Sequence, residues 1–253
     1  MTAAGRAPPA RNSDVTGSSV VDRLDAILAS FDGSARTVTL SELGRRVGLP
    51  KTTVYRLANQ LSAVGWLERT SDGYRVGPKV LEVGDAALQR NGLREAAFSH
   101  IYALAAKTGL AVHLAILDRD EVIYLDRIVT TRFGRATRVG GREPAYCTAL
   151  GKAMLAFEDH ASQAAKLAHM PPRTEFTITE PRAMQTELES IRRTGVAYDR
   201  EEAYRGLGCV ASPILKGQLA IGAVSVTGPV ARVQAHSVVH EVRNAALSLS
   251  SRQ

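Results

Sequence analysis

The chain has 253 residues, 45% hydrophobic and 23% charged, with a formal net charge of +7. That is the composition of an ordinary globular protein with a buried core. It excludes a membrane span, because no run approaches the ~18 apolar residues one needs, and its two distant cysteines, Cys147 and Cys209, exclude a disulfide framework.

The positive balance suits a polyanionic partner, but it is spread along the chain. Residues 1–90 carry 12 Lys/Arg against 9 Asp/Glu, net +3, and residues 91–253 carry 20 against 16, net +4.

Residues 1–17, rich in Ala, Pro, Gly and Asn, read as a disordered tail. They lack the apolar core of a signal peptide, so a cytoplasmic location is expected. Ser19-x-x-Asp22 resembles a capping box, followed by Val21, Leu24, Leu28 and Phe31 at helical spacing and a stop at Asp32-Gly33. Thr39-x-x-Glu42 opens a second helix with Leu40, Leu43 and Val47 inward, ended by Gly48. Pro50 suits the first turn of a third.

On that third helix Leu57, Ala58, Leu61 and Val64 fall within about 80° of Val54, forming one apolar face. The opposite side carries Thr52, Arg56 and Asn59, with Thr53, Tyr55 and Gln60 on its borders. Arg56 offers a fork suited to guanine, Asn59 and Gln60 suit adenine, and threonine methyls suit thymine. Lys51, Thr52 and Tyr55 suit phosphates. Any amphipathic helix has a polar face. Two features favour a DNA-facing one: residues 48–67 contain no acid, and the hairpin signal at Ser71-Asp72-Gly73 is flanked by Arg69 and Arg75. Three helices followed by a hairpin make a winged helix-turn-helix.

Residues 78–92 read as a connecting helix ending at Asn91-Gly92. A helix near 93–108 is followed by strands "AVHLAILD" and "EVIYLDRIV", a further strand over 132–139, and a Gly/Pro-rich loop from Gly140 to Pro144 leading into the helix "YCTALGKAMLAF". Helices near 160–168 and 182–194, strands at 196–199, 208–215 and 218–227, and a final helix over 231–250 complete an α+β pattern.

The loop before "CTALGKAML" delivers backbone N–H groups at a helix start, a setting for a carboxylate or phosphate. Asp199, Cys209, Ser225 and Thr227 lie on or beside strands that could face the same place. The same small residues would serve close helix–sheet packing equally well.

Enzyme readings find little support. "ALGKA" departs from a phosphate-binding loop, and no GxSxG, HExxH or zinc spacing occurs. Cys147 with His113 could form a thiol–imidazole pair, but a small apolar contact and a half-buried strand position are the simpler readings. Asp199, Glu201 and Glu202 read as solvated loop charge, and the arginines at 127, 132, 135, 138 and 142 as a solvated edge. A helix-turn-helix serving only protein contacts is a third possibility.

Taken together, "LSELGRRVGLPKTTVYRLANQL", "GWLERTSDGYRVGPKVLEVG", "VIYLDRI", "CTALGKAMLA", "VAYDREEAYRGLGCVASPI" and "AVSVTGP" resemble the IclR family of bacterial transcription regulators, from about Val20 to Leu249. The resemblance implies a winged helix-turn-helix DNA-binding domain (18–77), a linker helix (78–92) and a GAF-like effector-binding domain (93–253). It implies double-stranded operator DNA and a small organic-acid effector as partners, and assembly as a homodimer or homotetramer. It implies no cofactor, no metal and no membrane, and repression rather than activation as the first expectation. Carried over by motif, the effector site comprises Ala149, Leu150, Asp199, Cys209, Ser225 and Thr227, with Thr227 standing where some relatives have serine.

Overall fold

The computed structural model describes residues 19–31, 35–89, 92–129 and 137–251. They form two compact units, divided between Arg90 and Asn91. The expected tail, the stop at Asp32-Gly33, Asn91, and most of the 132–139 strand with Arg132 and Arg135 lie outside the described residues.

The N-terminal unit contains α1 (Val20–Ala29), α2 (Leu40–Val47), α3 (Lys51–Ala63), β1 (Leu67–Thr70), β2 (Gly73–Val76) and α4 (Pro78–Gln89). Ser19 and Asp22 form a reciprocal capping box. At α2 only half of the box forms. Thr39 Oγ1 accepts from the Glu42 N–H, while the Glu42 carboxylate is taken by Arg45 and Arg46. Gly48 ends α2 at φ 66°, a left-handed conformation that favours glycine. Leu49 then turns inward and α3 begins.

β1 and β2 pair antiparallel from Leu67↔Val76 to Thr70↔Gly73, and Val38 bridges to Tyr74. Ile27, Leu43, Val54, Leu57 and Leu61 meet Leu67 and Tyr74 in one core. Two expectations fail here. Ile27, not Val21, is the buried residue of α1, and Val21 is exposed. Val64 is also exposed, because α3 stops at Ala63 and Val64 is its C-cap.

The C-terminal unit contains α5 (Leu93–Thr108), β3 (Ala111–Asp118), β4 (Glu121–Ile128), β5 (Arg142–Pro144), α6 (Ala149–Leu155), α7 (His160–Lys166), α8 (Pro181–Thr194), β6 (Ala197–Arg200), β7 (Gly208–Lys216), β8 (Leu219–Gly228), α9 (Val230–Val233) and α10 (His236–Ser250). Six strands form one antiparallel sheet in the order β5-β4-β3-β8-β7-β6. α6 packs on one face, α5 and α10 on the other.

Two corrections concern this unit. Arg142–Pro144, expected as loop, pairs with β4 as an edge strand. The final helix is two helices, broken at Gln234 and an extended Ala235, with neither proline nor glycine to mark the break.

Cross-strand partners share a face of a sheet. Under α6 the register therefore builds two adjacent rows. One is Ala197–Ala211–Ser225–His113, the other Asp199–Cys209–Thr227–Ala111. Their small side chains let α6 approach. Gly151 completes the fit: a Cβ there would lie 2.2 Å from the Ala145 carbonyl oxygen.

Every residue of α6 is buried, Lys152 included. Lys152 Nζ donates to Glu202 Oε1 at 2.6 Å and to Glu187 Oε1 at 3.2 Å. Asp199 and Glu202 are likewise buried, so the reading of these two acids as solvated loop charge is wrong. Glu202 is held by the cation that the helix brings down onto it, and Asp199 by the backbone N–H groups of Glu202 and Ala203. Lys152→Met removes that cation and leaves Glu202 buried without it, a loss of roughly 3–5 kcal/mol. We expect the denaturation midpoint followed by circular dichroism to fall, and adding Glu202→Gln to recover part of it. The emission of Trp66, the chain's single tryptophan, reports on the N-terminal unit and should keep its midpoint.

Candidate functional site

The outer face of α3 divides into free and engaged residues. Lys51, Thr52, Tyr55, Arg56 and Gln60 are exposed, and Thr53 and Asn59 are half-buried. No side chain caps the start of α3, so its first N–H groups have no cap acceptor. Arg56 makes no ion pair with the described residues, leaving its five donors available.

Asn59 is committed to the fold. Tyr74 Oη donates to Asn59 Oδ1 at 3.1 Å, tying α3 to the hairpin and occupying the acceptor that a paired contact to adenine would use. Hydrogen bonds with Asn59 and then Arg69 hold the Tyr55 phenol below its ordinary range, and the Arg69 guanidinium lies 5.8 Å from the Tyr55 ring centroid. Arg75 pairs with Glu68 across the hairpin. Lys51, Thr52, Arg56 and Gln60 thus remain as an uncompensated basic and polar strip, with Arg69 stacked beside it.

In the C-terminal unit the two rows under α6 carry the polar groups. Cys209 Sγ and Thr227 Oγ1 are 3.0 Å apart, Thr227 Oγ1 and His113 Nδ1 3.2 Å, and His113 Nε2 and Thr137 Oγ1 2.9 Å. Asp199 Oδ1 accepts from the backbone N–H of Glu202 at 2.7 Å and of Ala203 at 3.3 Å. Ser225 is fully buried, and its Oγ has no hydrogen-bond partner among the described residues. Ala149 and Leu150 cover this ground from above, both buried. Thr148 Oγ1 caps the helix by accepting from the Gly151 N–H at 3.1 Å. The six residues expected here are brought together: four lie on two adjacent sheet rows, two on the first turn of the helix over them.

Burial sets the charge states. It pushes the Asp199 carboxyl up to about 7, with repulsion from Glu202 adding to the effect. It pushes the His113 imidazole down to about 4, with Arg127 contributing. At neutral pH the imidazole is therefore uncharged, with one nitrogen a donor and the other an acceptor, and Asp199 is near its midpoint. Burial also raises the Cys209 thiol. The row offers uncharged donors and acceptors and one carboxyl that can hold a proton.

Residue-type reasoning missed the supporting layer. His113 turns the Thr227 hydroxyl. Around the helix start, Glu143 is bound by Tyr204 Oη and lies 3.6 Å from Arg173, whose guanidinium stacks 5.4 Å from the Tyr204 ring centroid. A lone lysine inside the apolar run "ALGKAML" was the available signal for Lys152. Nothing local marks Arg173 or Glu143.

The thiol–imidazole pair is not formed. Cys147 Sγ donates to the Pro144 carbonyl at 3.7 Å, and burial pushes its thiol up to about 12. His113 is engaged by two threonines instead. No cluster of metal-ligating side chains occurs among the described residues, and no helix among them is long and apolar enough to cross a membrane.

Comparison with known proteins covers both units. Residues 20–71 match the IclR helix-turn-helix domain, and residues 85–251 match the C-terminal domain of bacterial IclR transcriptional regulators. The HTH-type transcriptional regulator KdgR of Escherichia coli is 32% identical over 222 residues, covering 83% of this chain and 84% of that protein. An IclR homologue from Microbacterium hydrocarbonoxydans, solved with 4-hydroxybenzoate, superposes with a TM-score of 0.82 at 27% identity, covering 92% of this chain and 98% of that one. The Thermotoga maritima IclR gives 0.74 at 29% identity, covering 92% and 97%.

The two perturbed groups tilt stability in opposite directions. Folded Asp199 keeps its proton up to about pH 7, against ~3.9 unfolded. Its stabilising contribution is present below pH ~4 and lost as pH rises toward 7. Folded His113 titrates at about 4, against ~6.5 unfolded. Its contribution is present above pH ~6.5 and lost as pH falls through 4. Asp199→Asn keeps the Oδ1 acceptor and removes one slope. Relative to the parent, its stability should rise steadily with pH between about 4 and 7. Superimposable pH profiles from denaturant titration would contradict these assignments.

Proposed function

The chain belongs to the IclR family of bacterial transcriptional regulators, and we propose that a small organic acid bound under α6 controls its occupancy of an operator. The fully buried, unpartnered Ser225 hydroxyl is the observation that carries this reading. A buried polar atom without a partner costs free energy, and a ligand oxygen would satisfy it. Thr227, oriented by His113, lies on the adjacent row.

Asp199 selects among acids. Ionised, it repels a carboxylate; protonated, or accepting from a ligand hydroxyl, it does not. The reading therefore favours a ligand with both a carboxylate and a hydrogen-bond donor. 4-Hydroxybenzoate, with which one relative was solved, carries those two groups at opposite ends of one ring.

In this proposal α3 enters the major groove. Lys51, Thr52 and Tyr55 meet phosphates, Arg56 and Gln60 meet base edges, and Arg69 and Arg75 lie on the hairpin that flanks them. Thr53 and Asn59 position the helix. Residues 18–77 form the DNA-binding domain, 78–92 the linker and 93–253 the effector domain. Assembly as a homodimer or a dimer of dimers is supported by α4, which buries no residue and exposes Leu81 and Val83. Control requires the ligand to bind the DNA-competent and DNA-incompetent states with different affinity. Repression is adopted from the family resemblance. A promoter fusion that loses expression when the gene is deleted would reverse it.

Arg56→Ala should weaken binding to the protein's own upstream DNA by ~1–3 kcal/mol while sparing random duplex. Equal losses on both would reduce Arg56 to a phosphate contact. A thermal-shift screen of organic acids should find hydroxy acids that raise the melting temperature of the parent protein, and Asp199→Ala should abolish or reorder those shifts. Shifts unchanged across the screen would remove Asp199 from the site.

A further inference from the structure

At the β6 edge of the sheet, α8, β6 and α10 enclose a groove of about 330 Å³. That is the lower end of the range for small-molecule sites. Its apolar floor is Ile191, Val196 and Val239. Its walls are basic. His236, His240 and Arg243 fall at i, i+4 and i+7 of α10, one face of the helix. Arg200 projects from β6 with its guanidinium 4.5 Å from the Tyr198 ring centroid, a stack that aims its fork across the opening.

The groove holds one carboxylate, Glu187, and that charge is partly compensated. Fully buried Lys152 donates to it at 3.2 Å, and Arg200 reaches it only at 3.9 Å. Arg243, His236 and His240 have no hydrogen-bond or ion-pair partner among the described residues. Two guanidinium groups and two imidazoles thus line a cavity whose sole acid shares the buried Lys152 with Glu202.

We propose that this groove is a second ligand site, for a compact polyanion bearing at least two carboxylate or phosphate groups. Arg243 and Arg200 supply paired donors to its two ends, and the imidazoles flank it. An occupant draws Arg200 away from Glu187. Tyr198 and Arg200 alternate with Asp199 along β6, so they face the groove while Asp199 faces Ser225, and the site stands independently of the ligand proposed there.

The test is calorimetric titration of the full-length protein at constant ionic strength with citrate, succinate and inorganic phosphate. We expect saturable binding of citrate, and weaker binding of succinate or phosphate according to which chemistry the site prefers. Arg243→Gln and the double change Arg200→Gln with Arg243→Gln should weaken the best ligand by about tenfold or more. Asp199→Asn, on the other face, should leave it within about twofold. Arg56→Gln should also leave it in place, which separates the groove from the DNA-facing strip. All substituted side chains but Asp199 are exposed, and circular dichroism checks each fold. The proposal is overturned if neither citrate nor succinate binds saturably, if inorganic phosphate binds more tightly than both, if Arg243→Gln leaves the best ligand unchanged, or if Asp199→Asn or Arg56→Gln removes binding.

Discussion

Lys152 is an ammonium group without access to water, and much of the C-terminal unit is arranged around that fact. A buried cation is tolerated only when acids and hydrogen bonds replace its hydration shell. Here one acid comes from α8 and one from the turn after β6, so a single side chain fixes three elements against each other. The seat beneath is equally constrained. α6 can come close enough to bring Lys152 to its partners because the sheet presents alanine, serine and cysteine in the rows below, and Gly151, having no Cβ, lets the Ala145 backbone fold tightly against the helix. A larger residue in either place would lift the helix and strand the charge.

The same arrangement sets the character of the ligand-facing row. Glu202 is pulled toward Lys152, and its turn presents the two N–H groups that Asp199 accepts. Burial, with a second buried acid beside it, then pushes the Asp199 carboxyl up to about 7. His113 is pushed the other way by its own burial. The result is a buried polar surface with little fixed charge at neutral pH, bounded by a carboxyl whose proton is readily gained or lost. A surface of this kind discriminates by hydrogen-bond pattern, because an unmatched donor or acceptor there has no water to turn to.

The N-terminal unit was largely legible in the sequence because its signals are local. Capping residues, the left-handed Gly48 and the period of α3 act over a few positions. Even so, Val64 was misplaced, because periodicity does not say where a helix ends. Asn59 read as a base-contacting residue because its partner, Tyr74, is brought near only by the hairpin. In the C-terminal unit the strands were legible but their register was not. Asp199, Cys209 and Thr227 form one row only through strand order β8-β7-β6, which separate segments of the chain must assemble. The family resemblance named these residues; it did not give the charge state of Asp199. The reading of Asp199 and Glu202 as solvated charge failed for a related reason. Burial of an acid is decided by a cation some fifty positions away, as with Lys152 and Glu202.

The charged groups also make a continuous physical connection between the two faces of the sheet. Arg200 meets Glu187, Glu187 meets Lys152, Lys152 meets Glu202, and the Glu202 backbone meets Asp199. Proximity along such a line is not coupling. Coupling requires an element with two arrangements that each ligand prefers differently. Lys152 is suited to that role because it is shared by two acids at unequal distance. An event that keeps Asp199 protonated removes a repulsion from Glu202 and strengthens its hold on Lys152. An event that strips Arg200 from Glu187 leaves that carboxylate with Lys152 alone and draws the ammonium the other way. Arg200 and Glu187 at the outer end of this line are open to solvent, so water and salt weaken what passes along it, and only the link from Lys152 to Glu202 is fully enclosed.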